Sequence, residues 1–253
     1  MTLPIFSVDQ DPGPDFKALL TKYKVNISGD IAKFDASDIR HGTTVLAVKT
    51  SEGVVVAGDR RATEGNRIAY RSMEKVFAVD SHSAIAIAGA AGPAVEMVKV
   101  FQIQVSHYEK VEGSMLSLDG KANQLSQMLS AHLPLAMQGL VVVPLYAGYD
   151  LANKTGRIFS YDVTGGRYEE FEFATNGSGG RDAKSLIKLN FKEDLSSDEA
   201  AVIALRALAD AADEDSATGG VDAIRKIYPI VVKVTADGFY RYSDDEIESL
   251  INA

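Results

Sequence analysis

One residue of this chain could supply both a nucleophile and the base that activates it. Thr43 stands in His41-Gly42-Thr43-Thr44, where a polar, turn-rich leader gives way to apolar strand segments. If the bond before Thr43 were cut, its hydroxyl could attack a carbonyl and its freed α-amine could take the proton. An α-amine titrates at about 7.7–8.0, so near neutral pH a large fraction of it can accept one. An internal threonine has no such second group. The string Gly-Thr-Thr taken alone also describes an ordinary glycine turn entering a strand, so the other polar segments have to discriminate.

Several polar segments interrupt apolar ones. Gly58-Asp59-Arg60-Arg61-Ala62-Thr63 ends one strand pattern with an acid and two guanidiniums, and Met73-Glu74-Lys75 opens another with a lysine. Asn176-Gly177-Ser178-Gly179-Gly180 and Asp213-Glu214-Asp215-Ser216-Ala217-Thr218-Gly219-Gly220 are glycine-rich loops next to helices. Each also reads as a turn or a cap, in which glycine supplies positive φ and Asp or Ser satisfies backbone amides. Ala88-Gly89-Ala90-Ala91-Gly92-Pro93 leads a strand into a helix. Small residues there permit close backbone approach, and a helix N-terminus offers free amides to negative charge, which is how an oxyanion site is built. No P-loop or dinucleotide fingerprint occurs, so nucleotide binding has no support.

Composition removes other chemistries. The chain has 253 residues, enough for one domain or two small ones with a sizeable core. Without a single cysteine, it has no disulfide, zinc-thiolate site or thiol nucleophile. The four histidines (His41, His82, His107, His132) show no metal-ligand spacing. A net charge of −9 argues against a nucleic-acid footprint. The first residues lack the basic and apolar regions of a secretory signal, and no apolar window reaches the roughly 18 residues of a membrane span. The expected location is the cytoplasm.

These residues need elements to position them. Residues 1–42 form a distinct segment rich in Asp, Pro and Lys. Its one amphipathic stretch, Phe16, Leu19, Leu20 and Tyr23, has helical spacing. Strand patterns follow at Thr44–Thr50 and Val54–Asp59 as a hairpin, then at Arg67–Tyr70, Lys75–Val79 and Ser83–Ala88. Helical patterns cover Pro93–Lys110, with an apolar stripe of Val95, Val98, Phe101 and Val105, and Asp119–Met137. Strands are then expected at Leu140–Tyr149, Arg157–Tyr161 and Tyr168–Ala174. Helices follow at Arg181–Asn190 and Ser196–Ala212, the second opened by a Ser196–Glu199 capping box. A last hairpin pairs Ile230–Val234 with Phe239–Tyr242, ahead of a helix at Asp244–Leu250. Two antiparallel sheets with helices segregated outside them satisfy this order, an α+β sandwich of four layers, αββα.

The polar segments carry more weight jointly than singly. Gly-Thr-Thr, Gly-Asp-Arg-Arg-Ala-Thr, Glu-Lys-Val, Ala-Gly-Ala-Ala-Gly, Gly-Ser-Gly-Gly and Asp-Ser-Ala-Thr-Gly-Gly occur in that order. In this combination the chain resembles the catalytic β subunits of 20S proteasomes, which are N-terminal-nucleophile threonine peptidases. His107-Tyr-Glu-Lys-Val-Glu-Gly113 and Leu118-Asp-Gly-Lys-Ala-Asn123 draw it toward the actinobacterial type. The resemblance runs from Thr43 nearly to the C-terminus.

It implies the N-terminal-nucleophile hydrolase fold for 43–253 and a propeptide at 1–42, removed by self-cleavage between Gly42 and Thr43. Thr43 is then the nucleophile, and Lys75 the ammonium that favours its alkoxide. Asp59 pairs with Lys75, while Ser178, Asp215 and Thr218 hold the new terminus and a catalytic water. Many members of the family carry serine at the Thr218 position. The Gly89 amide matches the oxyanion donor. Substrate is expected as an extended strand between Thr63 and the Gly89–Ala91 segment. The side chain before the cut would enter a pocket of Ala62, Met73, Ile87, Ala91 and Val95, which predicts a preference for apolar residues. No cofactor or metal is implied. The partners implied are α subunits and other β subunits in an α7β7β7α7 stack, a ring-shaped ATPase acting through the α ring, and unfolded protein substrates. A non-catalytic ring subunit, a small-molecule amidase of the same nucleophile class and the simpler bacterial ring peptidase are the competing readings.

Overall fold

The computed structural model describes residues 43–65 and 67–252. The expected propeptide, including the Phe16–Tyr23 stretch, His41 and Gly42, lies outside the described residues.

Twelve strands and five helices follow the expected order among these residues. One sheet contains β1 (Thr44–Lys49), β2 (Gly53–Gly58), β10 (Phe173–Gly177), β11 (Ile230–Thr235) and β12 (Gly238–Arg241), in the order β10-β1-β2-β11-β12. The other runs β5 (Val76–Asp80), β6 (Ser83–Gly89), β7 (Val142–Asp150), β8 (Thr155–Tyr161) and β9 (Arg167–Glu170). Every pairing is antiparallel. A small ribbon, β3 (Ala62–Glu64) with β4 (Arg67–Tyr70), stands apart. The helices are α1 (Ala91–Glu112), α2 (Leu118–Ala136), α3 (Gly180–Asn190), α4 (Ser197–Glu214) and α5 (Asp244–Ile251).

Strand periodicity explains the layering. Successive side chains point to opposite faces, and in β1 both faces are buried. Val45 and Ala47 meet Ala84, Ala86, Leu145 and Ile158 of the other sheet. Leu46 and Val48 instead pack on Ala183, Ile187, Ala204 and Leu208 of α3 and α4. Beyond the second sheet, Ile85, Tyr146 and Phe159 pack on Val98, Phe101 and Leu125 of α1 and α2. Three apolar layers thus separate four structural ones, the αββα sandwich.

Local signals behave as their chemistry requires. The Ser196–Glu199 capping box opens α4, and Ser243 with Glu246 makes a second one at α5. Helix α1 starts at Ala91, two residues before its expected start. Pro93 falls within the first turn, where its missing N–H costs no helix hydrogen bond. Two strand expectations need correction. Tyr168–Ala174 is not one strand: the chain leaves β9 at Glu170, passes Phe171 and Glu172, and joins the opposite sheet as β10. Asn176 and Gly177 consequently end a strand instead of lying in a loop. The short strand β3 falls in a segment whose polar residues gave no strand signal.

Candidate active site

Three strand ends meet at Thr43. It immediately precedes β1, whose first residues pair with the ends of β10 and β2, at Gly177 and Gly58. The Thr43 carbonyl accepts the Ser178 amide at 2.8 Å. Gly177 makes this approach possible: it has φ +96°, and a Cβ there would lie 1.7 Å from the Thr43 oxygen. Only glycine meets both conditions without displacing the chain.

Asp59 follows β2 and is fully buried. Its Oδ1 accepts the Thr44 amide at 2.8 Å and Lys75 Nζ at 2.7 Å. Its Oδ2 accepts the Arg61 and Gly219 amides at 2.8 and 2.9 Å. Four N–H donors therefore surround one carboxylate, which is how a buried charge becomes tolerable. Lys75 reaches it from the other sheet, just ahead of β5, and also donates to the Arg61 carbonyl at 2.5 Å. Burial pushes the Lys75 ammonium below the ordinary lysine value, while the Asp59 carboxylate pulls against that shift. The pair ties the two sheets together directly beside the start of β1.

The third part comes from the end of α4. Asp215 caps that helix and accepts the Ser178 hydroxyl on Oδ2, the Thr218 hydroxyl on the same oxygen at 2.6 Å, and the Ala217 amide on Oδ1 at 3.0 Å. Burial works against its charge. Those hydrogen bonds, with the field of Lys75, outweigh burial and hold the carboxyl below the usual aspartate value. Because Ser178 donates to Asp215, its oxygen is left to accept, and the Thr43 nitrogen lies 3.3 Å from it. The hydroxyl thus turns a lone pair toward that nitrogen.

Of the expected residues, Thr43, Asp59, Lys75, Ser178, Asp215 and Thr218 come together within this network. Gly89 ends β6 with φ +104°, and a Cβ there would lie 2.1 Å from the Val141 carbonyl. Met73, Ile87 and Val95 share one apolar cluster. Met73 also donates its amide to the Arg60 carbonyl next to Asp59, at 2.9 Å. Ala62 and Thr63 are buried in β3, and Ala91 opens α1.

Thr44, Gly177, Gly219 and Gly179, whose amide donates to Thr44 Oγ1 at 3.1 Å, also belong to the network without standing out as site residues in the sequence. The glycine-rich strings were a signal for the last three, but one that a plain turn would also give. Among the described residues no cluster of His, Asp or Glu is arranged to hold a metal. A concavity of about 930 Å³ opens at Ser51 and Glu52 on the far end of the β1–β2 hairpin. The six residues of β1 separate it from Thr43, about 20 Å of strand. Its Tyr240 and Tyr242 hydroxyls already donate to Glu246 and Asp198.

Residues 39–227 match the family model described as "Proteasome subunit". A protein of Acidimicrobium ferrooxidans named "Proteasome subunit beta" is 53% identical over 99% of this chain and 92% of its own length. Proteins of the same name from Frankia casuarinae and Streptomyces griseus are 54% and 56% identical, over 86% and 83% of this chain and 79% and 75% of theirs.

Proposed function

The chain belongs to the proteasome subunit family, and from that premise we propose that it is a peptidase-bearing β subunit whose nucleophile is Thr43. The observation that carries this reading is the convergence on Thr43 and the peptide after it of an Asp59–Lys75 pair and an Asp215–Ser178 pair. A purely structural ring subunit has no need of a buried lysine whose proton burial has loosened.

In the intact chain the Thr43 nitrogen is an amide, bonded to Gly42, and cannot act as a base. Activation is therefore a first turnover on the chain itself. The Thr43 hydroxyl attacks the Gly42 carbonyl, the C–N bond breaks as an ester forms, and water hydrolyses that ester. The products are a Gly42 carboxylate and a free Thr43 amine, and residues 1–42 leave as a propeptide. In later turnovers the amine, through a water, takes the hydroxyl proton as Thr43 attacks a substrate carbonyl, then returns a proton to the leaving amine. Lys75 stabilises the developing alkoxide, and its like charge lowers the basicity of the amine. Asp59 keeps Lys75 charged and aimed. The Gly89 amide receives the oxyanion, a contact typically worth about 10²–10³ in rate.

The substrate is an extended, unfolded polypeptide held through its own backbone between Thr63 and Gly89–Ala91. The residue before the cut meets Ala62, Met73, Ile87, Ala91 and Val95, all apolar. Assembly with α subunits and further β subunits in an α7β7β7α7 stack would enclose such a broadly acting site in the cytoplasm. A ring-shaped ATPase would then feed unfolded chains through the α ring.

The test is intact mass and peptide hydrolysis after co-assembly with the α-subunit partner. The expected result is loss of residues 1–42 together with cleavage after apolar residues in a fluorogenic panel, and a Thr43→Ala chain that stays whole and inactive. Processing and activity that survive Thr43→Ala would overturn the reading. Cleavage after acidic or basic residues would overturn the pocket assignment.

A further inference from the structure

We propose that Thr44, the residue after the nucleophile, is a positioning residue that holds Thr218 and, through it, the Asp215 carboxylate whose partner Ser178 serves the Thr43 nitrogen. This rests on the threonine-peptidase reading above. Thr44 is fully buried. Its Oγ1 lies 3.1 Å from the Gly179 amide and 2.6 Å from Thr218 Oγ1, and Thr218 Oγ1 lies 2.6 Å from Asp215 Oδ2.

Proton counting orders this chain. The Asp215 carboxyl is held ionised and can only accept, so the single Thr218 hydroxyl proton goes to it. Thr218 must then accept from Thr44, which spends the Thr44 proton. The remaining lone pairs of Thr44 receive the Gly179 N–H, an obligate donor. The same carboxylate oxygen takes the Ser178 proton, leaving Ser178 to accept from the Thr43 nitrogen. Every bond from Gly179 to Asp215 has one permitted direction, set by the donor amide at one end and the carboxylate at the other, and Thr44 is the link that joins them. Once Thr43 is a free amine, a Ser178 oxygen that accepts one of its N–H groups leaves the amine lone pair available to take a proton.

The backbone of the same residue serves the other carboxylate. The Thr44 amide donates to Asp59 Oδ1 at 2.8 Å and its carbonyl accepts the Asp59 amide at 3.0 Å. Thr44 therefore couples the Asp59–Lys75 pair to the Asp215–Ser178 pair. Strand alternation puts its side chain on the helix-facing side of β1, with Leu46 and Val48. Its hydroxyl thus lies away from the face where Met73, Ile87 and Val95 gather, and its loss should change turnover and leave substrate affinity alone.

The experiment compares the assembled parent with Thr44→Val, Thr44→Ser, Thr218→Val and the Thr44→Val/Thr218→Val double variant on a hydrophobic fluorogenic peptide. Processing is followed by intact mass and folding by thermal unfolding. Thr44→Val is expected to lower kcat about 10- to 100-fold, as for one buried hydrogen bond left half-made, with KM within about twofold. Thr44→Ser is expected to recover the parent kcat to within about threefold. The double variant should be no slower than Thr218→Val, because the two residues act in series.

Should Thr44→Val not assemble, Thr44→Ala removes the hydroxyl with less bulk and is held to the same expectations. The proposal is overturned by a parent-like kcat in Thr44→Val, by a serine variant as slow as the valine one, or by losses that multiply in the double variant. The threonine-peptidase reading fails separately, through an inactive parent or an active Thr43→Ala chain.

Discussion

Two ionic clusters in this molecule handle charge in opposite ways. Beside Thr43, Lys75 and Asp59 are paired with side chains 1% and 0% exposed. On the outer side of the second sheet, Arg157 reaches Asp119, Asp150 and Glu169 with a side chain 14% exposed, while Asp119 is about half exposed. At the first cluster burial is the largest influence on Lys75, and it drives the ammonium toward losing its proton. At the second, hydrogen bonds from Arg157 are the largest influence on Asp119 and Glu169, and they hold both carboxyls in the charged form. The residue types fit the two tasks. A guanidinium keeps its proton and bridges several carboxylates with a planar fork, whereas a desolvated ammonium responds to nearby charge. Ion pairs alone therefore do not mark a site; the balance between burial and hydrogen bonding does.

Substitution of Asp59 is expected to have the greatest consequence. Each of its oxygens receives two N–H donors, so Asp59→Asn must turn an amide N–H₂ against two donors while Lys75 loses its counter-charge. Peptide hydrolysis should fall to background. Chemical denaturation should show a loss of about 3–5 kcal/mol, the usual result of stranding one member of a buried pair. Parent-like stability would mean that the pair is more hydrated than its burial implies, and the contrast with the Arg157 cluster would collapse.

Gly177→Ala sharpens the same contrast without touching a charge. The new Cβ meets the Thr43 carbonyl in a backbone conformation that alanine resists, so the start of β1 must move. A shift of about 1 Å at a nucleophile typically costs about 10²-fold in rate. The backbone strain should cost about 1–3 kcal/mol in stability. Self-cleavage before Thr43, read by intact mass, should slow with hydrolysis of added peptide, since one geometry serves both. A variant processed normally but inactive on peptide would separate the two steps and assign Gly177 to substrate alone.

What could be read in the sequence follows from how local each signal is. The β1–β2 hairpin was legible because an apolar run ends at an acid, whereas Asp59 and Lys75 stand out only through the ordered set of motifs, since each segment alone also reads as a turn or cap. The four layers followed from the order of strand and helix patterns. The division of Tyr168–Ala174 between two sheets was not legible: strand-favouring residues run through it without glycine or proline, and the choice of sheet depends on β1, far away in the chain. Thr44 looked like the first residue of a strand and nothing more. Its hydroxyl gains meaning only from Thr218, 174 residues later. Gly177 lay in a string that any turn could use, and its necessity appears only when the Thr43 carbonyl is set against it.

The smallest expected effect lies at the other cluster. Asp119 and Glu169 titrate below their ordinary values in the folded chain, first through hydrogen bonds from Arg157. Between the lowered and ordinary values the unfolded chain holds more protons, so stability rises with pH there. The contribution is complete above the ordinary values and is lost as pH falls through the lowered ones. Arg157→Ala should therefore cost about 1–2 kcal/mol at neutral pH, modest because Asp119 is half exposed. The gap to the parent should stay constant down to about pH 5 and narrow below about pH 4. Peptide hydrolysis at neutral pH should remain within about twofold of the parent, since among the described residues no hydrogen bond joins the Arg157 cluster directly to Thr43. A gap that ignores pH would assign the Arg157 contribution to its packing on Phe159, whose ring it covers at 5.0 Å. A fall in hydrolysis without a fall in stability would mean that the two clusters are coupled through the second sheet, and that the scaffold's charges also tune the site.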